Sequence, residues 1–117
     1  MEPWFCSIRP ENFTEEVMLE KKPVLLVCMA HDDGFSKQLK VLKDVTERYE
    51  KELKVGLLAQ DSMEIFKKRL LIIGTPTFLL MREGKEIIRI LGVSDQGTLT
   101  TLIDQHLSAH QSGNVKT

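Results

Sequence analysis

Apolar residues along this chain alternate between short continuous runs and stretches in which they recur every three or four positions. The clearest continuous run, 24–30, is apolar on both alternating faces and rich in β-branched residues, as in a strand covered on both sides. In residues 35–49, one helical stripe carries Phe35, Leu39, Leu42, Val45 and Tyr49. The pattern predicts a central strand followed by an amphipathic helix.

The rest of the chain repeats this alternation. We expect further strands at 4–8, 53–59, 77–81 and 86–91, helices near 13–17 and 63–70, and a closing helix from about Asp95. The segment Arg82-Glu83-Gly84-Lys85 is typical of a hairpin turn, so we expect the last two strands to pair antiparallel. Helices between the earlier strands imply parallel crossovers.

The predicted order, βαβαβαββα, describes an α/β domain. It has a mixed central sheet of about five strands with helices on both faces. Hydrophobic periodicity stops at Ser108. We therefore expect a single domain at 1–108 and a flexible C-terminal tail at 109–117.

Composition excludes several classes of function. The chain has 117 residues, 42% of them hydrophobic and 28% charged, which is ordinary for a soluble globular protein. A net charge of -1 gives no electrostatic reason to expect nucleic acid or an anionic membrane as a partner. The N-terminus lacks the pattern of a signal peptide, and no apolar run approaches the ~20 residues of a membrane span. We expect a cytoplasmic protein.

The chain has two cysteines, Cys6 and Cys28, without CxxC spacing. They suggest neither a disulfide framework nor a zinc site. Cys28 falls in the central strand, where a free cysteine commonly packs as a small hydrophobe. Cys6, if exposed, could be oxidised or glutathionylated, which leaves a redox-sensing role open.

Four landmarks combine with this order of elements. They are Lys22-Pro-Val-Leu-Leu-Val in the central strand, Gly74-Thr-Pro-Thr before a later strand, Glu83-Gly84 in the hairpin, and Gly92 at the exit of the last strand. With them, nearly the whole chain resembles the thioredoxin family. The resemblance implies the thioredoxin fold and a cis peptide bond before Pro76, whereas most X-Pro bonds in folded proteins are trans.

The redox motif of that family has no counterpart here. Family members carry Trp-Cys-Gly-Pro-Cys where the helix follows the central strand, and this chain has Asp32-Asp33-Gly34-Phe35-Ser36. Thiol-disulfide exchange needs a thiolate nucleophile and a resolving thiol, and Asp33 and Ser36 supply neither. The family's buried acid falls on Val27 and its nearby lysine on Leu57. The resemblance therefore implies the fold without the chemistry.

Asp32 and Asp33 also have a structural explanation. They precede a helix, where an aspartate accepts hydrogen bonds from free N–H groups and meets the positive end of the helix dipole. We expect capping, with Asp33 a fixed anion in place of the family's thiolate, so that Asp33→Ala lowers stability.

Metal binding is a weaker alternative. His31 with the two aspartates could ligate a metal, but three consecutive residues converge poorly on one ion. The pair His106 and His110 lacks a third ligand. We expect no metal and no cofactor.

The leading hypothesis is a non-catalytic module that binds a polypeptide partner. The resemblance implies that Gly74-Thr75-Pro76 offers backbone groups to an extended chain. Phe35 replaces the proline of the motif and is either a residue of the helix stripe or an exposed aromatic anchor beside Pro76. The expected groove residues are Asp32, Phe35, Thr75, Pro76 and Gly92.

Two other functions stay open. One is a weak or specialised thiol-disulfide oxidoreductase, or a redox sensor in cell redox homeostasis, that uses Cys6 or Cys28. The other is a structural subunit of a larger complex, with the interface on a flat surface and not in the groove.

Overall fold

A computed structural model of the chain describes residues 4–116, with side chains as far as residue 107. Its elements are β1 (Cys6–Ile8), β2 (Val24–Cys28), α1 (Phe35–Arg48), β3 (Lys54–Leu58), α2 (Met63–Leu70), β4 (Thr77–Arg82), β5 (Lys85–Leu91) and α3 (Gln96–Lys116). A π-helical segment, Thr14–Met18, precedes β2, and a 3₁₀ turn, Gln60–Ser62, precedes α2. The order agrees with the predicted one.

The five strands form one mixed sheet in the order β1-β3-β2-β4-β5. At its centre, β2 pairs parallel with β3 and antiparallel with β4, so that Leu26 faces Gly56 on one side and Leu79 on the other. All five residues of β2 are buried. A strand with neighbours on both edges and helices on both faces has no exposed side, which explains its continuous apolar sequence.

Helices cover both faces of the sheet. On one face, α1 and α3 pack their apolar stripes against alternate strand residues, with Leu42 and Ile103 at the contact. On the other face, Val17 of the π-helical segment and Phe66 of α2 contact the remaining strand residues. The predicted mixed sheet of about five strands, with helices on both faces, is confirmed.

Several elements differ from the predicted ones in helix type or in where they end. The helix expected near 13–17 closes with a π-type hydrogen bond, in which the N–H of Leu19 donates to the carbonyl of Thr14 at 2.8 Å. The central strand ends at Cys28 and not at residue 30, because the pairing with β4 stops at Thr77. Met29 still contributes to the core beside α1, so the apolar sequence continues past the last residue of the strand.

The backbone of residues 109–116 continues α3 as a helix, where the sequence predicts a tail. A helix can continue without an apolar face, so the loss of periodicity is a poor guide to where the backbone leaves the helix. Residue 117 lies outside the described residues. The flexibility of the segment stays a prediction.

A cluster of charges joins the π-helical segment to β3. Lys54 Nζ donates to the carbonyl and the carboxylate of Glu16 and to Glu20 Oε1. Hydrogen bonds from Lys54 and then Cys6 lower the pKa of Glu16. The backbone N–H of Lys22 lowers the pKa of Glu20, and Lys54 adds to this. Burial alone would lower the pKa of Lys54, but the two carboxylates outweigh it and raise that pKa.

We expect Lys54→Met to lower the free energy of unfolding by about 1–2 kcal/mol at pH 7, because it removes charge-assisted hydrogen bonds that are only partly solvated. The carboxylates, whose folded-state pKa values are lowered, stabilise the fold above about pH 4–5, and this stabilisation is lost as the pH falls through the folded values. Lys54, whose folded pKa is raised, stabilises below about pH 10, and its contribution is lost as the pH rises through its folded value.

Urea denaturation of the wild type and Lys54→Met across pH 3–10 tests this prediction. The stability difference should be constant near neutrality and shrink at acid pH. Lys51→Met, which removes the same charge at an exposed position, should cost little at any pH. A Lys54→Met penalty that stays constant down to pH 3 would contradict the linkage to Glu16 and Glu20.

Candidate functional site

A groove of about 460 Å³ opens where β2 ends, and we call it the Pro76 groove. Its walls come from the start of α1, the turn before β4 and the loop after β5. The lining residues are Met29, Ala30, Asp32, Asp33, Gly34, Phe35, Gln38, Thr75, Pro76 and Val93. Segments far apart in sequence therefore meet at one end of the sheet, at the carboxyl end of its central strand.

The turn before β4 forms the floor of the groove. The peptide bond between Thr75 and Pro76 is cis. The N–H of Gly92 donates to the carbonyl of Pro76 at 2.9 Å, and the hydroxyl of Thr77 donates to the carbonyl of Gly74 at 2.6 Å. Strand pairing begins only at Thr77. The N–H and carbonyl of half-buried Thr75 consequently make no hydrogen bond to any described residue.

The start of α1 carries the two aspartates, and only Asp32 shapes the loop. Its Oδ1 accepts a hydrogen bond from the N–H of Gly34 at 3.0 Å, and its carbonyl accepts one from the N–H of Phe35 at 3.1 Å. This is an Asx-type turn. The expectation that Asp32 and Asp33 cap the helix is wrong, because Gly34 occupies the N-cap position and no side-chain hydrogen bond caps α1. The Asp33 carboxylate bonds to no described residue.

Phe35 is a residue of the helix stripe that also lines the groove. Its half-buried ring packs against the core on the α1 and α3 face. The ring of His31 lies 4.1 Å from it, centroid to centroid. Phe35 is therefore a fixed aromatic wall and not a freely exposed anchor.

Two of the predicted site positions lie outside the groove lining. Ser36 is exposed on the first turn of α1. Gly92 has no side chain to contribute, and its backbone, with a φ of 111°, is used to bond Pro76. The next residue, Val93, enters the lining instead. The groove lining includes Asp32, Asp33, Gly34, Phe35, Thr75 and Pro76.

Gln38 is a groove residue that the sequence analysis missed. It is only 4% exposed, and its amide forms two hydrogen bonds with the backbone of Ser94: Nε2 donates to the carbonyl at 2.7 Å, and Oε1 accepts from the N–H at 3.1 Å. These bonds fix the loop that presents Val93. The available signal was a polar residue on the apolar stripe of α1, because a buried amide needs partners.

Neither cysteine is among the residues that line the groove. Cys28 is fully buried, its pKa is raised by burial, and its Sγ lies 3.0 Å from Met63 Sδ. Burial and a hydrogen bond to Glu16 raise the pKa of Cys6. Strand β3 separates the two strands that carry them, which puts their Cα atoms about 10 Å apart or more. Both thiols are free.

Among the residues that the structure describes, no three His, Cys, Asp or Glu side chains are arranged to hold a metal ion. His31 packs on Phe35, and His106 Nδ1 lies 2.9 Å from the carbonyl of Leu102. The side chain of His110 falls outside the described part. None of the helices described is both long and apolar enough to cross a membrane.

The thioredoxin family model matches residues 5–105, a range that includes the whole sheet and every residue of the Pro76 groove. The chain belongs to the thioredoxin family. No curated protein matches it. Where the resemblance places the family's buried acid and lysine, this member of the thioredoxin family has Val27, which is 1% exposed, and its strand partner Leu57. The region below the loop at 31–36 is therefore apolar.

We expect Asp32→Ala to cost about 0.5–1 kcal/mol more stability than Asp33→Ala. Both variants remove a negative charge near the start of α1, so they lose a similar interaction with the helix dipole. Only Asp32→Ala also loses the hydrogen bond to the N–H of Gly34, which accounts for the difference. Chemical denaturation at pH 7 measures it.

Asp32→Asn is the matched control, because an asparagine oxygen can accept the same hydrogen bond. It should recover most of the loss seen in Asp32→Ala. If Asp33→Ala proved the more costly of the two alanine variants, Asp33 would be the cap after all.

Proposed function

We propose that the protein is a binding module of the thioredoxin family, without thiol-disulfide activity of its own, that holds an extended polypeptide in the Pro76 groove. The observation that carries the proposal is a formed groove whose floor offers unused backbone groups of Thr75 and whose lining contains no thiol. Where a catalytic pair would stand, the chain has a carboxylate at Asp33 and a hydroxyl at Ser36.

Backbone geometry supports an extended ligand. A polypeptide lying along Thr75 would exchange hydrogen bonds with its N–H and carbonyl, as in the addition of a strand. Such bonds do not depend on the ligand's sequence or on any thiol. Side-chain contacts with Phe35, Pro76 and Val93 would then add apolar burial.

The surface beside the groove supports a macromolecular ligand and not a small one. Val93 is 82% exposed, and beyond it Ile73 and Leu91 are also exposed. These residues adjoin the turn, because Gly74 lies against the side chain of Leu91 and Gly92 bonds to Pro76. Apolar side chains gathered at one groove are a common feature of protein interaction sites.

The environment of both thiols argues against the oxidoreductase alternative. A reactive cysteine is accessible and has a lowered pKa. Cys28 is inaccessible, and burial raises the pKa of both thiols. A disulfide between them would require β3 to leave its place between β1 and β2. The expected cytoplasmic location is part of the proposal, because free thiols persist in a reducing compartment.

We expect dithiothreitol to reduce insulin no faster in the presence of the wild-type protein than in its absence. The double variant Asp33→Cys/Ser36→Cys should accelerate the reduction, because a thiol at the start of α1 gains from the helix dipole and has a resolving partner. The variant controls for an intact fold and a working assay. Wild-type turnover abolished by Cys6→Ser or Cys28→Ser would make the protein an oxidoreductase.

We expect the wild type to select peptides from a random decapeptide library, and Val93→Gln to weaken their binding about fivefold. The loss corresponds to about 1 kcal/mol of apolar burial. Since Val93 is exposed, the substitution should leave the fold unchanged. Fluorescence anisotropy with the selected peptides measures the affinities.

The matched control is Leu19→Gln, which makes the same kind of change at an exposed residue near the start of β2, at the opposite end of that strand from the groove. Its affinities should equal those of the wild type. Selected peptides that bind Val93→Gln and the wild type equally well would move the binding surface away from the groove.

A further inference from the structure

We infer that the Pro76 groove takes a basic segment, in which a lysine or arginine stands next to an apolar residue. The inference rests on the proposed function, since it names the chemical class of the polypeptide that the groove would hold. It follows from the charges on the groove walls and from the placement of its apolar residues.

Both charged side chains that line the groove are acidic. Asp32 and Asp33 are exposed at the mouth, and neither forms an ion pair with any described residue. One oxygen of Asp32 is used by Gly34. The start of α1 contributes the equivalent of about half a positive charge, which is too little to neutralise two carboxylates. The charges on the groove lining itself are therefore net negative.

The apolar and acidic features stand on different walls. Asp32 and Asp33 belong to the loop before α1, whereas Val93 belongs to the loop after β5. The Pro76 turn lies between them, bonded to Gly92 on the side of Val93. Successive side chains of an extended chain point to opposite sides. A ligand paired with Thr75 would thus place one side chain at Val93 and an adjacent one at the carboxylates.

The two carboxylates would act mainly by disfavouring acidic ligands, and less by strengthening the binding of basic ones. An exposed ion pair adds little affinity, but an acidic ligand residue at the same place meets two like charges in a partly enclosed groove. We expect a ligand with lysine at this position to bind about tenfold more tightly than the same ligand with glutamate, and glutamine to fall between them. Screening by about 0.5 M salt should shrink the difference.

The experiment has two stages. Random decapeptides are first selected on the immobilised protein, and the frequency of each residue next to the consensus apolar position is counted. Lysine and arginine should be enriched there, and aspartate and glutamate depleted. One selected peptide is then synthesised with lysine, glutamine or glutamate at that position, and its affinity is measured by anisotropy at low and high salt.

The double variant Asp32→Asn/Asp33→Asn tests whether these two carboxylates cause the preference for a basic ligand residue. The asparagine at 32 can keep the turn, while both charges are removed. We expect it to abolish the preference for lysine over glutamate. The matched control, Glu47→Gln/Glu52→Gln, removes two exposed charges at and beyond the far end of α1, about 20 Å from the groove. It should retain the preference.

Each outcome decides between the two proposals. Peptides that bind the wild type regardless of charge, but are weakened by Val93→Gln, would overturn the basic preference and leave the groove as a binding site. Failure to select any peptide would overturn both. Self-association that Val93→Gln weakens would assign the groove to a second copy of this chain, and would likewise overturn the basic segment.

Discussion

The Pro76 groove depends on two hydrogen bonds between the amide of Gln38 and the backbone of Ser94. One wall belongs to α1 and the other to the loop after β5, and these segments are more than fifty residues apart in sequence. Because Gln38 is buried, breaking one of its bonds leaves a polar group without water or partner, at a cost of about 1–3 kcal/mol. The amide therefore fixes the distance across the groove, and with it the position of Val93 relative to the aspartates.

Below the groove, the positions that correspond to the family's buried acid and lysine hold apolar side chains, which fits the proposed absence of thiol chemistry. A lone buried carboxylate costs free energy unless it is paired or protonated, so it is retained where its chemistry is needed. Here the corresponding position is Val27, fully enclosed, with Leu57 beside it in register. The apolar pair adds to the core on the α1 and α3 face. Without thiols at positions 33 and 36, no proton transfer requires a buried acid here, and apolar residues such as Val27 and Leu57 give the more stable core.

Most of the fold could be predicted from the sequence, because the pattern of apolar residues directly reflects which sides of each element are covered. The run in β2 and the stripe of α1 are examples. Prediction was weaker where one polar contact decides the geometry. The sequence favoured Asp32 and Asp33 as helix caps, but the Asx turn of Asp32 places Gly34 at the N-cap position. Gln38 was visible as a polar residue on an apolar stripe, whereas its partner Ser94 carried no signal. Val93 enters the groove only because that pair fixes its loop.

The chemistry of the residues at the start of α1 sets what kind of recognition the groove can support. A pair of thiols there exists in two forms, and a ligand held by them would be bound or released with the redox state of the solution. The carboxylates of Asp32 and Asp33 have no second oxidation state. Ligand contacts made through them, and through the backbone of Thr75, would persist under oxidising and reducing conditions alike. A thioredoxin fold with this loop is therefore suited to holding a partner steadily, and its affinity would be tuned by ionic strength instead.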